Sequence, residues 1–163
     1  MRSAAGTVSI PGMDERTAPA PAPAPATGAP ALPEQVVAAV YGAFGRGDMA
    51  GLFSLLHPQI DWGAEVSAPG AERVPMLHHG TGHGAVERYF GGVAQLEFHV
   101  FDVGRLFAGG DAVVAEIHLE ATHRSKGRRA AIDELHHWVV RDGLAVRYRP
   151  YLDTAALIEL FRP

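Results

Sequence analysis

From residue 33 onward apolar residues recur at helical spacing. Val36, Val37, Val40, Tyr41 and Phe44 share one face, and Gly45–Gly47 with Asp48 stop that helix and cap another. The second helix is short, Met49 to Leu56, and ends at His57-Pro58. Residues 59–65 read as a strand carrying Trp62, 66–81 as a loop rich in Pro, Gly and His, and 82–94 as a third helix with Val86, Tyr89, Phe90 and Val93 inward. Beyond residue 95 the period changes from that of a helix to two. Residues 95–107, 111–123, 129–141 and 144–152 alternate apolar with polar, and the breaks fall at Gly109-Gly110-Asp111, Ser125–Gly127 and Asp142-Gly143. Asp142-Gly143 is the strongest hairpin signal in the chain. A last helix is expected to start at Asp153-Thr154, with either side chain as its cap, and to run to about Phe161. Helices gathered on one face of a meandering antiparallel sheet define an α+β fold.

The segment before residue 33 breaks this pattern. Residues 17–33 (TAPAPAPAPATGAPALP) are an Ala-Pro tract that cannot donate a regular hydrogen-bond ladder, so residues 1–32 are expected to be an extended, disordered tail and 33–163 the folded domain. That domain, most of the 163 residues, is long enough to bury a core without staples. The chain has no cysteine, which excludes disulfides, thiolate metal sites and cysteine nucleophiles. Formal net charge is −4, and the basic cluster Arg124, Lys126, Arg128 and Arg129 surrounds Gly127 as a solvated hairpin tip. A nucleic-acid surface needs a broader basic stripe, so no nucleic-acid partner is expected. No apolar run approaches a membrane span and no apolar leader precedes a cleavage site, so the expectation is a cytoplasmic protein without a membrane partner.

Candidate chemistry lies in two strands. Glu116-x-His118-x-Glu120 and Glu134-x-His136 each place an acid beside a histidine on one face, because side chains of a strand alternate with period two. A histidine held by a buried carboxylate is poised as a general acid/base near neutrality. For the strand 111–123 two orientations stay open. Either Glu116 and His118 face inward, or they face solvent while Val113, Ala115, Ile117 and Leu119 point to the helices. His57, His78, His79 and His83 cluster around the loop before the third helix, but their spacings match no zinc motif and no metal is expected.

The order of elements, together with VVAAVYGAFGRGDMAGLFSLLHPQIDW, GTGHGAVERYF and HHWVVRDGLAVRYRPYLDTAAL, resembles the nuclear-transport-factor-2-like superfamily over residues 33–162. Within it the chain is similar to SnoaL-like polyketide cyclases, ketosteroid isomerases and limonene epoxide hydrolases. The resemblance implies a cone-shaped barrel: a curved mixed or antiparallel sheet, three helices from the N-terminal half over a central pocket, and a short C-terminal helix. It implies that Ile132, Glu134, His136, Trp138 and Val140 form a pocket wall, and that Tyr41, Phe44, Trp62, Tyr89, Trp138 and Tyr148 converge as substrate-binding residues. The isomerases' Tyr, base and Asp align with Val40, Ala64 and His136, with Tyr41 and Glu65 one residue away. The epoxide hydrolases' Asp-Arg-Asp group aligns with Glu116, His118 and Pro150. The standard catalytic sets are thus not reproduced, and His136, His118, Glu134 and Glu116 become the candidate acid/base residues. The function expected is cofactor-independent isomerisation, cyclisation or hydrolysis of a small apolar or polyketide-like molecule by a homodimer. The alternative is a non-catalytic ligand-binding or accessory protein of the same fold.

Overall fold

Pro33 starts the first helix, at the position where its missing N–H costs nothing. In the computed structural model, which describes residues 31–163, this helix, α1, spans Pro33–Gly45 and presents Val36, Val37, Val40 and Tyr41 to the core. The expected tail lies outside the described residues except for Ala31 and Leu32. Asp48 caps α2 (Met49–Ser54), its Oδ1 accepting from the Gly51 amide at 2.8 Å. The sequence then runs through β1 (Leu56–Trp62), two 3₁₀ turns at Ala71–Arg73 and Pro75–Leu77, β2 (Gly80–Thr81) and α3 (His83–Val93). Four long strands follow, β3 (Leu96–Gly109), β4 (Ala112–His123), β5 (Arg129–Arg141) and β6 (Leu144–Leu152), and α4 (Thr154–Phe161) closes the chain.

The strands form one open six-stranded sheet in the order β2-β1-β6-β5-β4-β3. It is mixed, because β1 pairs with β6 in parallel while every other neighbour is antiparallel. The β5–β6 hairpin turns at Asp142 (φ 50°) and Gly143 (φ 77°), both left-handed, which is the conformation an Asp-Gly pair tolerates best. Its register places His136 opposite Pro150 and Trp138 opposite Tyr148.

Two expectations are corrected. The first strand begins at Leu56, three residues earlier than the pattern suggested, and Pro58 lies inside it. Proline is accommodated because the β1–β6 register shifts between Leu56 and Asp61, where Pro58 has no ladder bond to supply. The basic tip is more than a solvated turn. Lys126 donates to the Phe161 carbonyl, and Arg128 reaches Glu159 at 2.7 Å and the Pro163 carbonyl at 3.2 Å, so the tip holds the end of α4.

Alternation decides which faces are dry. On β4 the odd positions from Val113 to His123 are buried, and on β5 the even positions from Ile132 to Val140. They meet α1 and α3 in one apolar cluster containing Val37, Ile60, Trp62, Val86, Ala115 and Trp138, and α4 with the 3₁₀ turns in a second containing Val74, Leu77, Leu119, Ile132, Leu160 and Phe161. Each large side chain so buried contributes about 1.5–3 kcal/mol. Tyr89 and Phe101 touch both clusters, so these two residues mark the seam between them.

Candidate functional site

The seam is a narrow apolar cavity of about 70 Å³. Its wall from β5 carries Glu134, His136 and Trp138; α1 supplies Val40, Tyr41 and Phe44, β1 supplies Trp62, α3 supplies Tyr89 and Phe90, and β6 supplies Tyr148. The far end is lined by Leu96, Phe98, Leu119 and Leu157 from β3, β4 and α4. Phe44, Phe90, Phe98 and Phe101 are only half-buried and touch edge to edge or tilted, with ring centres 5.2 to 5.9 Å apart.

In this apolar setting one polar network is completely internal. The Trp138 indole Nε1–H donates to Tyr41 Oη at 3.0 Å, and Tyr41 Oη lies 2.9 Å from His136 Nδ1; with the acceptor-only carboxylate of Glu134 on the other ring nitrogen, a neutral imidazole accepts from Tyr41 at Nδ1. His136 then carries its hydrogen on Nε2 and donates it to Glu134 Oε2 at 2.7 Å. Tyr148 Oη lies 3.2 Å from the same Nε2 and 2.9 Å from Tyr89 Oη. The tautomer of the neutral His136 ring is thus assigned by the Glu134 carboxylate, which can only accept. Glu134 is 8% exposed and His136 5%, so the pair is buried, and breaking it would leave a buried carboxylate without its imidazole partner.

Burial governs the phenols. It pushes Tyr41, Tyr89 and Tyr148 far above the usual tyrosine range; at Tyr41 and Tyr148 a neighbouring tyrosine and Glu134 add to the effect, and at Tyr89 the Glu134 charge does. All three keep their hydrogens at any physiological pH. Tyr41 donates to His136, and of Tyr89 and Tyr148 one donates to the other, which leaves one phenol hydrogen beside the carboxylate–imidazole pair to bond a developing oxyanion.

The structure brings together Tyr41, Phe44, Trp62, Tyr89, Glu134, His136, Trp138 and Tyr148. It does not bring Glu116 and His118 to them. The two open orientations of β4 resolve outward for these side chains, because the packing of Val113, Ala115, Ile117 and Leu119 against the helices takes the inner positions. This corrects the expectation of a shared cavity. His118 Nδ1 pairs with Asp133 at 2.7 Å, and Glu116 faces Arg105 at 3.8 Å, on the outer face of the sheet. Hydrogen bonding to Asp133 raises the His118 pKa, but on an exposed surface.

The positions suggested by the isomerase alignment divide in the same way. Val40 lines the cavity beside Tyr41, whereas Glu65 lies outside and faces Arg149 at 3.5 Å. The histidines around the third helix disperse: His79 pairs with Asp61, while His78 and His83 reach backbone carbonyls. Sequence reading missed Met76 and Leu157. Met76 lies within a stretch read only as loop, although Val74, Met76 and Leu77 form an apolar run there.

A family model described as a SnoaL-like domain matches residues 37–148. No curated protein matches the chain. Among solved structures, a protein of unknown function from Burkholderia pseudomallei, described as NTF2-like, is similar at 24% identity over 80% of this chain and 98% of its own, with a TM-score of 0.68. TerC, co-crystallised with polyporic acid, is 25% identical over 79% of this chain and 97% of its own, with a TM-score of 0.66. IdmH from Streptomyces antibioticus, described as a candidate polyketide cyclase, is 21% identical over 80% of this chain and 98% of its own, with a TM-score of 0.59.

Proposed function

The chain belongs to the SnoaL-like domain family, and from that premise we propose that it is a cofactor-independent acid/base enzyme acting on a small, mostly apolar molecule that carries a carbonyl oxygen. One observation carries this reading: a buried His136–Glu134 pair at 2.7 Å is the ionisable patch of an otherwise apolar cavity. A carbon acid bound there loses the hydrogen next to its carbonyl. The proton passes to the Glu134 carboxylate, whose Oε2 is held by His136 Nε2–H, the carbon–hydrogen electrons move into the carbon–carbon bond, and the carbonyl oxygen becomes an enolate held by the free phenol hydrogen of the Tyr89–Tyr148 pair. Returning the proton to another carbon isomerises the substrate, and attack of the enolate on a second carbonyl cyclises it. Tyr41 and Trp138 fix the ring of His136 and so set the direction of transfer. The co-crystal of TerC with polyporic acid supports a small-molecule ligand for this fold.

The test uses 1-tetralone, a bicyclic aromatic ketone. In deuterium oxide its hydrogens next to the carbonyl exchange, and the protein is expected to accelerate this exchange. Glu134→Gln keeps the shape and removes the charge, and is expected to cut the acceleration by roughly a hundred- to ten-thousand-fold. Unchanged exchange in Glu134→Gln, with binding of 1-tetralone intact, sinks the assignment and leaves a binding protein in its place.

The same reading takes the protein as a cytoplasmic homodimer that associates through the outer face of the sheet, where Phe107, Leu135 and Tyr151 are exposed. Sedimentation velocity of the wild type against Leu135→Glu tests the association. A monomer in both would refute it.

A further inference from the structure

Trp62 is 2% exposed, lines the cavity and has an indole Nε1–H with no hydrogen-bond acceptor among the described residues. The other tryptophan of the chain differs, since Trp138 donates to Tyr41. A buried donor left without an acceptor costs about 1–3 kcal/mol, and native interiors rarely tolerate one without a reason. The surroundings of Trp62 explain why it cannot reorient to find a partner. Tyr148 lies against its ring at 4.2 Å between centres, Tyr89 at 5.5 Å, Trp138 at 5.8 Å and Phe90 at 6.2 Å. Gly63, which follows it, has φ 100° and donates its amide to the Tyr148 carbonyl at 3.0 Å; a side chain there would meet the His78 carbonyl at 2.3 Å. Backbone and rings together fix the indole.

We infer that Trp62 is a specificity-determining residue whose indole N–H awaits an oxygen acceptor on the ligand, so that the cavity selects molecules carrying a carbonyl or similar oxygen over hydrocarbons of the same shape. This rests on the reading of the cavity as the ligand site and adds the group that reads the oxygen. The placement is coherent with the rest of the wall. Trp62 packs against Tyr148 and Tyr89, whose hydroxyls bond each other at 2.9 Å, and all three line the same cavity as Leu96, Leu119 and Leu157, so its wall offers a polar side for an oxygen and an apolar side for a hydrocarbon body. A site that buries a donor for one oxygen discriminates against the analogue lacking it, because the donor is then left unpaired.

The experiment compares 1-tetralone with tetralin, the same bicycle without the oxygen. Two tryptophans give two indole N–H resonances in a ¹⁵N-labelled sample of the full chain, with Trp138 as the internal control. Addition of 1-tetralone is expected to move the Trp62 indole proton downfield, and addition of tetralin is not. Trp62→Phe is expected to weaken 1-tetralone binding about threefold to tenfold while leaving tetralin binding unchanged, and to unfold at no lower a temperature than its loss of ring size requires. The inference is overturned if the Trp62 proton stays in place at saturating 1-tetralone, as it would if the N–H rested on the face of Tyr89 or Trp138. It is equally overturned if Trp62→Phe weakens both molecules alike, or if the wild type binds neither. Deuterium exchange in Glu134→Gln reads the acid/base proposal separately, so a silent Trp62 with active exchange removes this inference and leaves that one standing.

Discussion

His136 with Glu134 and His118 with Asp133 are two histidine–carboxylate pairs of the same sheet, each closed at 2.7 Å. Asp133 and Glu134 are consecutive residues. Their side chains leave β5 on opposite faces, and that alone separates a pair with both members under a tenth exposed from one in which Asp133 is 89% exposed at its side chain. Water supplies Asp133 and His118 with all the partners they need, so the outer pair contributes little and tunes nothing beyond itself. The inner pair is buried. Glu134 and His136 depend on one another and on Tyr41, Trp138 and Tyr148, and every change in one is felt by the rest. Spacing of an acid and a histidine by two residues therefore describes a strand face, and only the side on which the helices sit turns it into a site.

The comparison is broken most directly by neutralising each carboxylate in turn. Asp133→Asn is expected to leave acceleration of 1-tetralone deuterium exchange at the wild-type level, against the hundred- to ten-thousand-fold loss in Glu134→Gln, although the altered residues are adjacent. Equal losses from the two would mean that the face does not decide. Next in size is Tyr41→Phe. It leaves the Trp138 N–H without its acceptor and His136 Nδ1 without its donor, and is expected to lower unfolding free energy by about 1–3 kcal/mol in urea titration. Asp133→Asn breaks no buried network, and its unfolding midpoint is expected to move much less than that of Tyr41→Phe.

Much of the fold was legible because long periodic strands and a two-residue Asp-Gly turn leave few alternatives. The boundaries of β3 to β6 fall within two residues of those the alternation predicts. Legibility failed where tertiary partners decide. Pro58 looked like a helix stop and is a strand residue, because β6 does not ask it for a hydrogen bond. The 66–81 loop looked featureless, yet Met76 reaches the cavity from a 3₁₀ turn. The site was half legible. On β5 the apolar residues at 132, 138 and 140 share parity with Glu134 and His136, which together with the family resemblance favours the inner face for the polar pair, and the pair is buried there. On β4, Val113, Ala115, Ile117 and Leu119 take the parity opposite to Glu116 and His118, and periodicity alone cannot say which set the helices will cover. The Tyr41–His136 bond joins residues 95 apart in sequence, a contact that no local pattern encodes.

The smallest effect sharpens the contrast along a single strand. His118 and His123 both belong to β4 but differ in parity, and their surroundings shift them in opposite senses. His123 is 2% exposed, packs edge-on to Phe161 and has Nε2 without a partner among the described residues; burial first, and the Lys126 charge second, lower its pKa. The unfolded chain consequently binds the proton before the folded one does as pH falls below about 6.5, and stability declines from there to the folded pKa of His123. For His118 the sign reverses. Asp133 holds its pKa above the ordinary value, so its stabilisation is complete below about 6.5 and is lost as pH rises through the raised folded pKa. Urea midpoints followed from pH 5 to 8 should therefore show His123→Gln flattening the acid-side decline and His118→Gln flattening the alkaline side. The His118 change is expected to be the weaker of the two and to fade in high salt, since its pair lies in water. A His123→Gln profile that keeps the wild-type acid slope would show that the imidazole is solvated when α4 is docked, and would remove burial as the cause that sets the inner face of this sheet apart from the outer.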